Sequence, residues 1–127
     1  MLFTHPLSGV GAGNYRLVLG DYIGQSVWDN RLHANNSYLE MLADTGLPGG
    51  ALFVVLIGAA LWRGVRALRR VQAPESMIWA ASLTAALAAF AIHGLIDYFL
   101  EFTSIYVLFW MALASLAAIG EPARSRA

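Results

Sequence analysis

Hydrophobic residues in this chain are concentrated in three long runs that follow a more polar stretch over residues 1–46. The runs cover residues 47–68, 77–100 and 102–119, and each has close to the ~20 residues that an α-helix needs to cross about 30 Å of hydrocarbon. The runs lack the period-two alternation of hydrophobic and polar residues that is typical of β-barrel strands. Because a membrane-spanning segment must satisfy its backbone hydrogen bonds internally, each run is expected to form a helix. The pattern therefore predicts an all-α, polytopic integral membrane protein with three transmembrane helices.

The composition supports this interpretation. Of the 127 residues, 58% are hydrophobic and 13% are charged. A soluble domain typically has about 45–50% hydrophobic and about 25% charged residues. The formal net charge is zero, which argues against nucleic acid as a partner. Because the sequence contains no Cys, thiolate metal sites and Cys nucleophiles are excluded.

The basic residues, all of them arginines, are distributed unevenly around the predicted spans. Those after the first span and in the tail over 121–127 are Arg63, Arg66, Arg69, Arg70, Arg124 and Arg126. In a three-span topology both places lie on one side of the membrane, and the positive-inside rule makes that side cytoplasmic. Residues 1–46 are then expected to face outward.

This topology has a consequence for the start of the chain. Residues 1–46 carry several charged side chains and would have to cross the membrane ahead of every predicted span. Met1–Pro6 has neither the basic nor the apolar segment of a signal peptide. We therefore expect the chain to be the C-terminal part of a longer protein, in which missing N-terminal transmembrane helices deliver residues 1–46 to the outside.

The outward stretch has a glycine-rich beginning and one short helical pattern. We interpret residues 6–15 as a flexible turn, because no strand precedes the glycines and no βαβ unit follows them. Ser37 and Glu40 have the spacing of a capping box, and Gly46 is a typical helix end. A short interfacial helix is thus predicted over about 37–45.

Two features of this stretch suit a ligand that carries phosphate. The N-terminus of the predicted helix, with Asn35 and Asn36, attracts anions. Arg16 and Arg31 offer several hydrogen-bond donors on a delocalised charge. The alternative is that each arginine is a solvated residue paired with a neighbouring aspartate, an arrangement that contributes little.

The second predicted span contains two ionisable residues, His93 and Asp97. Their spacing of four places them on one helical face, and ionisable groups inside a membrane are costly unless they are paired or functional. Either they bond to each other and anchor the helix end, or they support the outward site from behind.

The residues from Asn36 to Gly49 resemble the hallmark of the O-antigen ligase and polymerase family of bacterial membrane glycosyltransferases. That family has His, then Asn, Ser or Gln, nine residues, Gly, two residues and Gly, and Asn36, Gly46 and Gly49 meet this spacing. Residues 5–15 are similar to the segment that opens the family's outward loop, and residues 93–98 resemble part of its closing spans.

The resemblance implies an enzyme of surface polysaccharide or lipopolysaccharide biosynthesis in the bacterial inner membrane, with residues 1–46 in the periplasm. Such enzymes transfer a glycan from undecaprenyl pyrophosphate to a saccharide hydroxyl, with no nucleotide sugar, metal or other cofactor. The implied partners are the lipid-linked donor, the saccharide acceptor, membrane lipid and further transmembrane helices.

The sequence departs from the family at one position. Asn35 stands where the family has its His, and the nearest histidine is His33. Either His33 acts as the base that activates the acceptor hydroxyl, or the chain lacks this base. The resemblance further implies that Arg16, Arg31, Asn35 and Asn36 bind the substrate. Loss of the base would instead favour a non-catalytic membrane remnant, or a subunit that binds lipid-linked sugars or completes a polysaccharide transporter.

Overall fold

The computed structural model describes residues 1–119, and the predicted tail over 121–127 lies outside them. Within residues 1–119 the chain forms four helices and no strand, which confirms the prediction of an all-α protein. The helices are α1 (Tyr15–Ile23), α2 (Ser37–Arg70), α3 (Pro74–His93) and α4 (Thr103–Ala118).

Two of these helices, α2 and α3, are long and apolar enough to cross a membrane. In the most apolar 18-residue stretch of each helix, 22% of α2 and 11% of α3 are buried. The core helix of a soluble protein is mostly buried. The apolar helix α4 has 16 residues and a length of about 24 Å, which is shorter than the hydrocarbon layer. Three full spans, as predicted, are therefore not shown.

Helix α2 is broken at Gly46, whose backbone (φ 70°, ψ −173°) is not helical. The segment before the break corresponds to the short helix predicted over 37–45, and residues 47–70 follow as an apolar helix of about 36 Å. Pro48 lies in the first turn after the break, where a proline removes no helical hydrogen bond.

Helix α3 ends earlier than the predicted span over 77–100. It begins at Pro74 and ends at His93, and the N–H groups of Ile96 and Asp97 both bond to the carbonyl of His93 in the turn that follows. The prediction was wrong here because residues 94–100 stay mostly apolar after the helix has ended, so hydrophobicity alone does not mark the boundary.

The chain divides into two compact units, of which the first consists of Met1–Val55 with His93–Leu100. In this unit the glycine-rich loop forms turns, as predicted, and packs against the region around the α2 break. Three backbone hydrogen bonds join the two segments: Val10 N–H to Ala43 O, Gly11 N–H to Asp44 O, and Leu47 N–H to Pro6 O.

Asp44 fixes the end of this loop from within α2. Its buried carboxylate accepts hydrogen bonds from the N–H groups of Gly13 (2.7 Å) and Tyr15 (2.8 Å). A negative charge at the N-terminus of a helix is favourable, so Asp44 stabilises the start of α1. Gly9 (φ 64°) passes so close that a Cβ on it would clash with the carbonyl group of Asp44.

The second unit consists of Leu56–Ile92 with the described residues from Glu101 onward, and its core is made by apolar side chains of three helices. The rings of Phe90 and Phe109 stack with centroids 4.4 Å apart. The buried apolar residues of this unit are Ile57, Ala60, Ala67, Ala80, Leu87, Phe109 and Leu116.

Candidate functional site

The candidate site lies at the N-terminus of α2, in the first unit. Asn36 caps the helix, because its Oδ1 atom accepts hydrogen bonds of 3.0 Å from the N–H groups of Tyr38 and Leu39. The predicted capping box is therefore not formed, because Asn36 caps the helix in place of Ser37 and the Glu40 carboxylate bonds elsewhere. The Ser37 hydroxyl donates instead to the carbonyl of Asp97 at 2.9 Å.

Acceptors within the protein already occupy this helix terminus. Besides the two N–H groups capped by Asn36, the Ser37 N–H donates to Gly94 O at 2.7 Å and the Glu40 N–H to Asn36 O. Because a phosphate at a helix N-terminus needs free N–H groups, the expected anion site is not formed by the N–H groups of residues 37–40. Asn35 lies in a left-handed turn (φ 47°) just before the helix, and Asn36 Nδ2 donates to Leu95 O.

His33 and Glu40 form a close pair beneath this turn. The Nδ1 atom of His33 lies 2.6 Å from Oε1 of Glu40, and Oε2 of Glu40 accepts the N–H of Ala34 at 2.8 Å. The exposed fractions of the two side chains are 15% and 2%. Sequence reasoning assigned Glu40 to the capping box and so missed its contact with the histidine.

Tyr98 forms one wall of the histidine site. Its ring stacks on the imidazole of His33 with centroids 4.8 Å apart and an angle of 26° between the planes. The Tyr98 N–H bonds to Oδ1 of Asp97 at 2.8 Å, which holds the turn after α3 in place. Nothing in the local sequence indicates this contact, because Tyr98 and His33 are far apart along the chain.

The hydrogen bonds of Glu40 determine which ring nitrogen of His33 carries the proton in the neutral imidazole. Glu40 precedes the break at Gly46 and so lies outside the apolar segment 47–70. Burial raises the pKa of its carboxyl, while the hydrogen bonds from Ala34 and His33 oppose this rise. When the carboxyl is ionised it can only accept hydrogen bonds, so His33 donates from Nδ1 and the basic lone pair of the imidazole is on Nε2.

The two predicted phosphate-binding arginines lie on other parts of the first unit. Arg31 is exposed and makes two side-chain hydrogen bonds to Asp29, at 3.0 and 2.9 Å, as in the alternative interpretation. These bonds lower the pKa of the Asp29 carboxyl. Arg16 is half-buried in the first turn of α1.

His93 and Asp97 do not share a helical face, because α3 ends at His93. Nε2 of His93 lies 3.6 Å from Oδ2 of Asp97, and both side chains are about half exposed. They are thus not buried ionisable groups within a helix, and that part of the prediction was wrong. Asp97 nevertheless supports the histidine site through its hydrogen bonds to Ser37 and to the N–H of Tyr98.

No family model, curated protein or solved structure matches this chain. Any functional assignment therefore depends on the sequence pattern and on the geometry around His33.

Proposed function

We propose that the chain is the C-terminal part of an O-antigen ligase-like glycosyltransferase of the bacterial inner membrane. In this proposal it transfers a glycan from undecaprenyl pyrophosphate to a hydroxyl of a saccharide acceptor. The observation that carries the proposal is the His33–Glu40 pair. A histidine held by a buried carboxylate is a general-base arrangement. His33 lies three residues before the motif that resembles this family, and Glu40 lies within that motif.

The proposed reaction is a single displacement at the anomeric carbon of the donor sugar. Nε2 of His33 is buried, so the acceptor hydroxyl reaches it only when the site opens. Nε2 then takes the proton of the hydroxyl, and that oxygen forms the new glycosidic bond. The bond between the anomeric carbon and the pyrophosphate oxygen breaks, and undecaprenyl pyrophosphate leaves with the electron pair. Glu40 holds the imidazole in the required tautomer and stabilises the imidazolium that forms.

The leaving pyrophosphate needs positive charge, and the first unit has two arginines to supply it. Arg16 and Arg31 are the only arginines before Arg63. Guanidinium groups bind phosphate oxygens through paired hydrogen bonds, which makes both residues candidates for this role. Arg31 would exchange its exposed contact with Asp29 for the ligand, and such exposed ion pairs contribute little stability.

The proposal also places the chain in the membrane, with the His33 site in the periplasm and the arginines after residue 62 in the cytoplasm. Helix α4 would form the third span, since a helix shorter than the bilayer is accommodated by local thinning. Exposed apolar side chains on α2, α3 and α4 would contact lipid and further transmembrane helices.

A transfer assay tests the proposed reaction. Membranes that contain the full protein to which the chain belongs are supplied with a radiolabelled glycan on undecaprenyl pyrophosphate and with acceptor polysaccharide. We expect labelled acceptor to form in these membranes and not in membranes from cells that lack the protein. Equal labelling of both would exclude the transferase and favour the non-catalytic alternative, a subunit that binds or moves lipid-linked sugars.

Cysteine labelling tests the proposed orientation independently of activity. The chain has no Cys, so single cysteines at the exposed positions Ser26 and Gln72 give clean signals. We expect Ser26→Cys to react with a membrane-impermeant maleimide in spheroplasts, and Gln72→Cys to react only after the membrane is opened. The reverse pattern would contradict the orientation, because the His33 site would then face the cytoplasm.

A further inference from the structure

We infer that a groove at the C-terminal end of α2 binds the headgroup and upper acyl chain of an anionic phospholipid. The groove, here called the arginine groove, has a volume of about 240 Å³ and is lined by Trp62, Val65, Arg66, Arg69 and Arg70. It belongs to the second unit, and its assignment does not depend on the proposed transferase reaction.

The atoms that line the arginine groove are almost all apolar, and its three arginines concentrate positive charge at its edge. Arg66, Arg69 and Arg70 are exposed, and within residues 1–119 the structure shows no carboxylate paired with any of them. Helical spacing of three and four residues brings the three guanidinium groups to one side of α2. A phosphodiester with one negative charge is therefore complementary to the groove.

The groove is also apolar. Trp62 is 66% exposed and Val65 is 39% exposed, although both are large apolar side chains. Tryptophan is enriched where a transmembrane helix enters the headgroup layer, and arginine side chains extend from that level into the headgroups. The acyl chain would lie against Trp62 and Val65 while the phosphate contacts the arginines.

This combination favours a phospholipid over other phosphate-bearing partners. The stretch from Ala51 to Trp62 has no charged residue, so the arginines directly follow an apolar helix. Basic clusters in this position attract anionic lipid. A nucleic acid would satisfy the arginines but not Trp62 and Val65, and the net charge of the chain is zero. The C-terminal end of the helix dipole is negative and does not attract phosphate, so the guanidinium groups must bind the phosphate.

Arg63 provides a matched control within the same helix. It has the same charge and is exposed, but its Nη2 atom donates a hydrogen bond of 3.1 Å to Ala117 O, and it does not line the arginine groove. A substitution there removes one positive charge without changing the proposed binding surface.

Fluorescence quenching by brominated lipids tests the inference. The full chain is reconstituted in phosphatidylcholine vesicles that contain either brominated phosphatidylglycerol or brominated phosphatidylcholine with the same acyl chains. We expect phosphatidylglycerol to quench tryptophan more strongly at equal mole fraction, and Trp62→Phe to remove this difference. Each of Arg66→Gln, Arg69→Gln and Arg70→Gln should lower the preference roughly twofold to fivefold, and Arg63→Gln should retain it.

Several results would overturn the inference. These are equal quenching by the two lipids, an equal loss in Arg63→Gln, or a preference that Trp62→Phe leaves intact. Displacement of phosphatidylglycerol by millimolar inorganic phosphate would indicate a site for free phosphate instead. Binding of a duplex oligonucleotide with the same arginine dependence would indicate a nucleic-acid surface.

Raising the salt concentration requires no variant and should reduce the preference for phosphatidylglycerol in the wild-type chain.

Discussion

Replacing His33 with alanine is expected to lower the rate of glycan transfer by about 10²- to 10⁴-fold, the usual contribution of a general base. The acceptor hydroxyl would then have to lose its proton to water. The binding of donor and acceptor should change much less than the rate, because the lost interaction develops mainly in the transition state.

Glu40→Gln tests whether the carboxylate positions this base. The Ala34 N–H needs an acceptor, so the amide oxygen of the new side chain must face it and the amide NH₂ group must face Nδ1 of His33. Nδ1 then accepts a hydrogen bond and the ring proton moves to Nε2, which leaves no basic lone pair for the acceptor hydroxyl. We expect transfer to fall at least about tenfold.

The kinetic constants separate this positioning role from a structural one. Loss of the base's orientation should lower kcat, while the KM values for donor and acceptor change little. A variant that is only less stable would lose activity in proportion to the loss of folded protein.

Transfer by membranes containing each variant is the measurement, with protein amount determined by immunoblot and folding by resistance to trypsin. His93→Ala is the matched control, because it removes a half-exposed histidine of the same unit that does not contact Glu40. Wild-type transfer by folded His33→Ala protein would contradict the assigned base. A loss in His93→Ala as large as in His33→Ala would show that the assay does not distinguish the two histidines.

The hydrophobic pattern was sufficient to predict an all-helical chain, but it was not sufficient to place the helix ends. Residues 94–100 are mostly apolar and still leave the helix, because Gly94 O and Asp97 O serve as acceptors for Ser37. That contact joins residues 60 positions apart in sequence. Because the Ser37 hydroxyl bonds to Asp97 O, Asn36 caps α2 instead. A rule based on the spacing of neighbouring residues cannot choose between Asn36 and Ser37 as the N-cap.

The same limit applies to the candidate site. The sequence identified His33 as the histidine nearest to the motif, but the carboxylate that orients it had a second plausible local role as a capping residue. The glycine-rich loop was interpreted from composition as a turn, and its contact with Asp44, which is 31 residues away from Gly13, could not be predicted from composition. Composition records which residues permit a tight turn, and the turn itself is fixed by distant acceptors.

Gly46→Ala is expected to lower the free energy of unfolding of the first unit by about 2–5 kcal/mol. The backbone at Gly46 (φ 70°, ψ −173°) lies in a region that is essentially restricted to glycine. An added Cβ would also lie 2.6 Å from the carbonyl carbon of Leu7 and 2.8 Å from Pro6 O. Because these are backbone atoms, no side-chain rotation relieves the contact, and the loop must move off α2.

Gly58→Ala is the control for this prediction. Gly58 lies within the helical part of α2 after the break, and no heavy atom lies within 4 Å of the position of an added Cβ. Alanine there should stabilise the helix by about 0.5–1 kcal/mol.

Unfolding is followed by circular dichroism in mixed micelles, together with trypsin cleavage after Arg16, which reports on the loop and α1. Equal stability of the two variants would show that the loop does not pack against the α2 break. Early cleavage after Arg16 in Gly46→Ala alone would locate the damage to the contact that holds the start of α1 beside the histidine site.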